Sequence, residues 1–415
     1  MKKIIKTVKE VYNNNLCCSC GFCIGVCPNQ SISYKIDKKG FYKPIINKNT
    51  CKSCGICIDF CPGIQYFDYE EKKENHLYGF SENEEIRRNS SSGGIITELL
   101  CYLLKKNYVD YVLITKNRLG LSEPEVDVLD NCKEIIDAKT SKYCPVRYGK
   151  AIEMLKKIKG NVAVVGLPCH IQAIKKYYTQ GMTKNVKIKY FLSLFCNHVP
   201  SFKATNFLID NFKIKNIKKI IYRGHGWPGF IQFFTKENVI LLPYRKTVHT
   251  GFGTYFKNLR CLLCDDPFGR AADASFGDAY FLNEKENGLG NTFCIVRDKE
   301  LLNIFKRMEE DNRVVINNDI SEEKIFQTYK VLYKRKEKSP EIMYTLSLFN
   351  RKIPANHPDL PDKLSLKRIL KNIYDLFKIE TGKYKFLWKI LFKINKGNKI
   401  KQKANKVIIN HEKGR

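Results

Sequence analysis

The sequence predicts a chain of mixed class, α+β and α/β, with a cysteine-rich head, an α/β body and a basic helical tail. Three observations predict it. One cysteine spacing occurs twice within residues 17–61. Strand-like and helix-like segments alternate from about residue 89 onward. The last fifty-odd residues combine many lysines with apolar residues at helical spacing. At 415 residues the chain is long enough for two or three domains of roughly 100–200 residues each. The expected division is a head over 1–67, a linker over 68–88, a body over 89–335 and a tail over 336–415.

The head is carried by Cys17, Cys20, Cys23 and Cys27, followed by Pro28, in the spacing C-x2-C-x2-C-x3-C-P. Cys51, Cys54, Cys57 and Cys61, followed by Pro62, repeat it 34 residues on. This is the run of a bacterial two-cluster ferredoxin, in which the fourth cysteine of each run serves the other cluster. One 4Fe-4S cluster is thus expected on Cys17, Cys20, Cys23 and Cys61, the other on Cys51, Cys54, Cys57 and Cys27. Three thiolates on a tight loop cap one cubane face, and the fourth must come from elsewhere. A zinc module is the competing reading, but zinc takes four ligands, often as paired C-x-x-C, and a duplicated triplet-plus-one fits that poorly. Cys18 falls outside the pattern and is read as a spare. The whole chain has 17 cysteines. With no signal-peptide core in MKKIIKTVKEVYNNN and no run of about 18 apolar residues, a cytoplasmic chain using thiols for metal and redox chemistry is expected.

Residues 68–88 are polar and charged and read as the linker. The body opens at Ser90-Ser91-Ser92-Gly93-Gly94, followed by a helix with Ile95, Ile96, Leu99, Leu100, Leu103 and Leu104 on one side. Serine is expected to cap it, and the two glycines leave room for a phosphate at its start; a plain capped helix is the alternative. Strands are expected over 109–115, 161–166 and 188–196, a helix over 149–159, and a hairpin-like region over 217–242. This alternation predicts an α/β body. Cys169 follows one strand and Cys196 ends another, and Cys261 and Cys264 form a C-x-x-C pair. These four could hold a third 4Fe-4S cluster; the alternative is that only the pair matters, as a dithiol or half a zinc site. Cys101, Cys132, Cys144 and Cys294 read as core.

With these segments read, the sequence resembles the beta-subunit family of coenzyme F420 (deazaflavin) hydrogenases and dehydrogenases. The resemblance rests on SSSGG at 90–94, SKY at 141–143, GLPCHIQAI at 166–174, FCNHVPS at 195–201, CLLC at 261–264 and ASFGDAYF at 274–281, in order over residues 85–300. It implies FAD bound in the body and a cluster beside it on Cys169, Cys196, Cys261 and Cys264. It implies flavin contacts from Ser92, Gly93, Gly94, Ser141, Lys142, Tyr143, Gly277 and Asp278. Some members look like components of polysaccharide gene clusters. His170 departs from the glutamine usual in the family. No paired C-x-x-C motifs for nickel are present, so hydrogen activation is not expected. The implied function is an oxidoreductase that passes electrons between ferredoxin-type clusters and FAD to reduce or oxidise an organic substrate or coenzyme F420. The alternative is a non-catalytic electron-transfer subunit feeding a partner. The expected redox partner is an external ferredoxin.

Net charge is +31, most of it ascribed to a Lys-, Ile- and Asn-rich composition. The exception is residues 363–415, with 16 Lys/Arg against three acids, a net +13. Leu366, Ile369, Leu370, Ile373 and Phe377 form one helical stripe. Leu387, Ile390, Leu391 and Ile394 form another, flanked by Trp388 and Phe392, with Lys385, Lys389 and Lys393 opposite. Basic and aromatic-apolar faces together predict an anionic membrane surface as a partner, on the inner face of the membrane; ordinary packing on the body is the alternative. No nucleic-acid motif accompanies the charge.

Overall fold

The run of valine and alanine at 160–166 is nearly continuous, as expected of a strand covered on both faces, and it lies inside an eight-stranded sheet. The computed structural model describes residues 6–64, 72–183, 185–282, 288–354, 360–395 and 397, with the backbone of 408–410. In chain order the strands are β1 (Ile32–Ile36) and β2 (Tyr42–Ile46) in the head, then β3 (Asn75–Ser81), β4 (Tyr111–Thr115), β5 (Arg118–Leu119), β6 (Val126–Leu129), β7 (Gly160–Gly166), β8 (Val186–Leu194), β9 (Lys219–Ile221), β10 (Phe230–Phe234), β11 (Asn238–Pro243), β12 (Ala274–Asp278), β13 (Thr292–Val296), β14 (Val314–Asn317) and β15 (Ile408–Asn410).

The large sheet has the order β14-β3-β13-β12-β8-β7-β4-β6. Its centre is parallel, β4 to β7 to β8 to β12, and the outer pairs are antiparallel. β7 and β8 are joined through the helix Pro168–Thr179, a βαβ unit. A bulge between Val162 and Ala163 skips Lys189 in the β7–β8 register. On one face the sheet packs the helices Ile95–Lys105 and Lys299–Glu310; on the other it packs Lys150–Leu155 and Pro168–Thr179. A second, five-stranded sheet has the order β15-β11-β10-β9-β5. No helix among the described residues is long and apolar enough to cross a membrane.

Three expectations are corrected. Residues 75–88 of the expected linker are regular structure. Residues 75–81 form β3, hydrogen-bonded between β13 and β14, and Glu84–Asn89 is a helix capped by the Asn83 side chain. The charged residues on either side hid the pattern of β3: Leu77, Gly79 and Ser81 are buried on one face, and Tyr78 packs edge-on against Phe281 on the other; residues 68–71 lie outside the described ones. The helix after the serine run is capped by Gly94 in the left-handed conformation, φ 82°, with no side-chain cap. The boundary expected at 335/336 falls inside the helix Lys330–Ser347.

The head is not a separate bead either. Phe22 and Phe60 pack edge-on against Tyr177 of the body, with ring centroids 6.1 and 5.1 Å away. Gly25 and Gly149 touch so closely that a Cβ on Gly25 would stand 2.0 Å from the Gly149 carbonyl oxygen. Tail residues Trp388, Leu391 and Phe392 are buried against Phe207 and Phe256. Of the apolar stripe expected there, Leu391 is buried, whereas Ile390 and Ile394 are exposed. Residues 396, 398–407 and 411–415 of the basic tail lie outside the described ones.

Candidate functional site

The two cysteine runs repeat in backbone as well as in spacing. Ser19 and Ser53 have φ of 59° and 54°, and Gly21 and Gly55 of 65° and 81°. Each pair is 34 residues apart, and each left-handed glycine starts a short helix, Phe22–Val26 or Ile56–Asp59. The chain thereby wraps each loop around its thiols. After burial, Cys17 and Cys61 raise the Cys20 and Cys23 thiols, and Cys27, Cys54 and Cys51 raise that of Cys57; Cys57 also acts on Cys23, and Cys18 on Cys17 and Cys20. Burial, then neighbouring thiols, pushes Cys20 and Cys23 well above the ordinary thiol range. Buried thiols that repel one another as thiolates are a donor set that iron cations would neutralise, with release of protons. Backbone N–H groups of Ser19 and Ser31 point at the sulfurs of Cys17 and Cys27, each at 3.3 Å. Such hydrogen bonds also tune a cluster's potential. Among the described residues no three His, Cys, Asp or Glu side chains close on a single metal ion.

The second thiol group lies at the carboxyl ends of the parallel strands, where open α/β sheets place their ligands. Cys169 follows β7 and Cys196 follows β8. Cys196 is under the influence of Cys261 and Cys264, and Cys169 under that of Cys196. Arg335 spans the group, donating to the carbonyl oxygens of Cys196 at 2.8 Å and Cys261 at 2.6 Å. Its charge draws the thiols of both down against burial.

Cys18, read as a spare, joins this group. It lies beside Cys169, and the interaction of the two thiols holds Cys18 below the ordinary thiol range and Cys169 above it. Cys17 and Cys18 therefore face two thiol sets from adjacent positions. The body's Cys261–Cys264 loop is clasped to the head. Asn258 Nδ2 donates to the Cys17 carbonyl at 2.9 Å. Buried Arg260 donates to the carbonyl oxygens of Gly63 (2.7 Å), Pro62 (3.1 Å) and Leu263 (3.1 Å). Nothing local in the sequence marks Arg260; only its place beside C-x-x-C hints at it. His170 is buried, and desolvation pushes its imidazole down to about 3, so it is neutral; it stacks on Tyr148 at 4.4 Å. It is a packed side chain and does not store a proton.

Contacts draw Ser92, Ser141, Tyr143, Gly277 and Asp278, of the eight residues expected at a flavin, into one neighbourhood, with Gly93 and Gly94 next to Ser92 in the chain; the Lys142 side chain turns instead to the Ala138 and Thr140 carbonyls. Ser141 N donates to Ser91 Oγ at 2.8 Å. Ser92 Oγ donates to the Asn291 carbonyl at 2.6 Å and approaches that of Gly277 at 3.4 Å. Tyr143 stacks on Tyr244 at 5.4 Å, and Tyr244 lies 4.6 Å under the Arg223 guanidinium. Arg223 grips Asp278 with two bonds, 2.7 and 2.8 Å, and Trp227 Nε1 donates to the same carboxylate at 2.7 Å. Arg245 lies over the rings of Trp227 and Tyr280, at 5.1 and 5.6 Å. Two glycines have a packing reason of their own. A Cβ on Gly93 would meet the Gly79 oxygen at 2.5 Å, and one on Gly277 would meet the Phe195 ring at 2.2 Å. The residues missed in the sequence are Arg223, Trp227, Tyr244 and Arg245. The signal was the segment Arg223-Gly224-His225-Gly226-Trp227-Pro228-Gly229, which holds one of only two tryptophans in the chain.

Lys142 is partly buried. Its ammonium donates to the carbonyl oxygens of Ala138 and Thr140, the latter at 2.8 Å, and desolvation pushes it down to about 7. The folded value thus lies below the unfolded one of about 10.4. The charged form carries its full penalty below about pH 7, and the penalty is relieved as pH rises toward about 10. Lys142→Met is expected to abolish this relief. Between pH 7 and about 10 the natural chain should gain about 1–3 kcal/mol on the variant, read from urea unfolding at both pH values.

Residues 159–322 match the C-terminal part of the family described as coenzyme F420 hydrogenase/dehydrogenase, beta subunit, and residues 76–153 match its N-terminal part. Together they take in more than half of the chain. The coenzyme F420-dependent sulfite reductase of Methanocaldococcus jannaschii is 26% identical over 237 residues, 53% of this chain but only 34% of that protein. The coenzyme F420 hydrogenase subunit beta of Methanothermobacter thermautotrophicus is 24% identical, over 48% of this chain and 69% of its own length. The F420-dependent formate dehydrogenase subunit beta of M. jannaschii is 25% identical, over 46% of this chain and 50% of its own length. The chain thus spans about a third to two thirds of the curated relatives it matches here. In fold it is similar to a chain of the F420-reducing [NiFe] hydrogenase complex from Methanosarcina barkeri, with a TM-score of 0.52 at 19% identity, over 71% of this chain and 99% of that one.

Proposed function

The chain belongs to the coenzyme F420 hydrogenase/dehydrogenase beta-subunit family, and on that premise we propose that it is an iron–sulfur flavoprotein oxidoreductase. It passes electrons between an external one-electron carrier of the ferredoxin kind and an organic substrate or coenzyme F420. One observation carries the reading. The head thiol set of Cys17, Cys20, Cys23 and Cys61 is clasped to the body set of Cys169, Cys196, Cys261 and Cys264 through Cys18, Asn258 and Arg260. A head that served only its own fold would need no such clasp.

The head sets would hold two 4Fe-4S clusters, the body set a third, and the neighbourhood of Ser92, Ser141, Lys142, Tyr143 and Asp278 would hold FAD. Bound there, clusters carry electrons singly and a flavin exchanges single electrons for pairs. The protein's own part is placement. Cys54 and its neighbours Lys52 and Ser53 are exposed, so the run at 51–57 is the face open to a carrier, and Lys48 and Lys52 suit an acidic one. The run at 17–23 is turned to the body. Electron flow in either direction uses the same order.

Anaerobic purification with iron, sulfide and flavin quantified tests this directly. About twelve irons and one FAD per chain are expected from three four-iron sites. Eight irons would remove the body cluster, and an absence of flavin would sink the flavoprotein reading. A second reading, a non-catalytic subunit feeding a partner, is favoured by the names of the relatives, two of which are beta subunits. Turnover of coenzyme F420 by the reduced chain alone would decide against it.

A further inference from the structure

We propose that the exposed face of the helix Leu366–Thr381, with that of Trp388–Ile394, seats this protein on an anionic lipid bilayer. The proposal is independent of the redox reading. Leu366, Leu370, Ile373 and Phe377 recur at i, i+4, i+7 and i+11, the spacing of a buried helical stripe. They are nevertheless 70, 56, 36 and 64% exposed, with Tyr374 beside them at 57%. The stripe is not a core face left uncovered by a loosely placed helix. The opposite side is anchored, since Asn372 is buried and donates to Glu341 O at 3.2 Å and Thr345 Oγ1 at 3.0 Å, and Ile379 is buried as well. The same division holds in the second helix. Trp388, Leu391 and Phe392 are buried, whereas Phe386, Ile390 and Ile394 are 76, 54 and 68% exposed.

Charge selects the occupant. At 3.6 residues per turn, Lys367, Lys371 and Lys378 lie about a third of a turn to one side of the first stripe, and Lys389 and Lys393 each precede an exposed isoleucine in the second helix. Lys378 of this row is paired with Asp375, which also takes Lys338, and Glu380 takes Lys39 and Lys383, so Lys367 and Lys371 carry the row's charge. An aromatic-apolar stripe with a lysine row along its edge matches the boundary between acyl chains and anionic headgroups. A second copy of this chain would bring a second lysine row against the first, which is unfavourable with residues 363–415 at a net +13.

The test is flotation of the full chain with vesicles of phosphatidylcholine and phosphatidylglycerol, and with phosphatidylcholine alone. Binding is expected to the mixed vesicles and to weaken as salt is raised. Leu370→Glu with Phe377→Glu should lower the affinity at least about tenfold. The far-UV circular dichroism should not change, because both side chains already face solvent. Lys367→Gln with Lys371→Gln should weaken binding and flatten its salt dependence. No binding to mixed vesicles, equal binding to neutral ones, or undiminished binding by the glutamate pair would overturn the proposal. So would a concentration-dependent dimer that the glutamate pair abolishes, since the face would then belong to a second copy.

Discussion

Replacing Arg223 by Met is expected to cost about 3–5 kcal/mol and to lower the unfolding midpoint by about 3–6 °C. The side chain is buried, and its guanidinium makes two charge-assisted bonds to Asp278 and a third, at 3.2 Å, to the Pro228 carbonyl. Removing it leaves a mostly buried carboxylate with Trp227 as its remaining side-chain donor. The uncompensated charge, more than the lost attraction, is the large part of the cost. Asp278→Asn should destabilise by a similar mechanism from the other side. The two effects must not add. Arg223→Met combined with Asp278→Asn should recover part of the loss, because the double variant buries no lone charge. Thermal unfolding of the four chains measures the coupling, and additive losses would refute the pairing. The same variants should also lose flavin, if the segment 223–229 frames that site. Iron content should stay unchanged, because the thiol sets do not depend on Arg223.

Arg260→Met should cost a comparable amount, about 3–5 kcal/mol, but in a different place. Its three bonds end on carbonyl oxygens of Pro62, Gly63 and Leu263, all shut away from water. An orphaned buried acceptor costs about 1–3 kcal/mol. The loss should be local at first: hydrogen exchange should rise over residues 16–27 and 58–64 while β7 and β8 stay protected. Asn258→Ala, which removes one bond to the Cys17 carbonyl and the side-chain cap on Arg260 N, should show the same pattern at about 1–2 kcal/mol. If exchange rises evenly through the chain instead, the head is not held by this clasp. Unchanged exchange would mean that the head stands on its own core.

Parts of this site were legible because their chemistry is local. Cys17 to Cys27 and Cys51 to Cys61 announce themselves by spacing, since a loop around a small inorganic group needs donors a few residues apart. The strands at 111–115, 160–166 and 186–194 were legible because a strand covered on both faces reads as an apolar run. β3 was not. Its neighbours β13 and β14 lie more than 200 residues away, and its seven residues sit between two charged segments that mask the pattern. Gly93 and Gly277 were picked as flavin contacts, but their want of a side chain follows from close packing against Gly79 and Phe195. The tail stripe was legible as a stripe, while which way it faces was not.

The sequence by itself determined the duplicated cysteine spacing of the head, the alternation of strands and helices in the body and the family to which it is similar. Those follow from short-range spacing, and short-range spacing survives in one dimension. The tertiary structure alone decided that Cys18 meets Cys169, that Arg260 ties one thiol set to the next, that Arg223 holds Asp278, and that Leu366, Leu370 and Phe377 look outward. Each of these depends on segments remote in sequence being brought together, or on one helix face being chosen over another. That choice is made by the packing of the whole chain, through residues such as Tyr177, Gly149 and Asn372 that carry no motif.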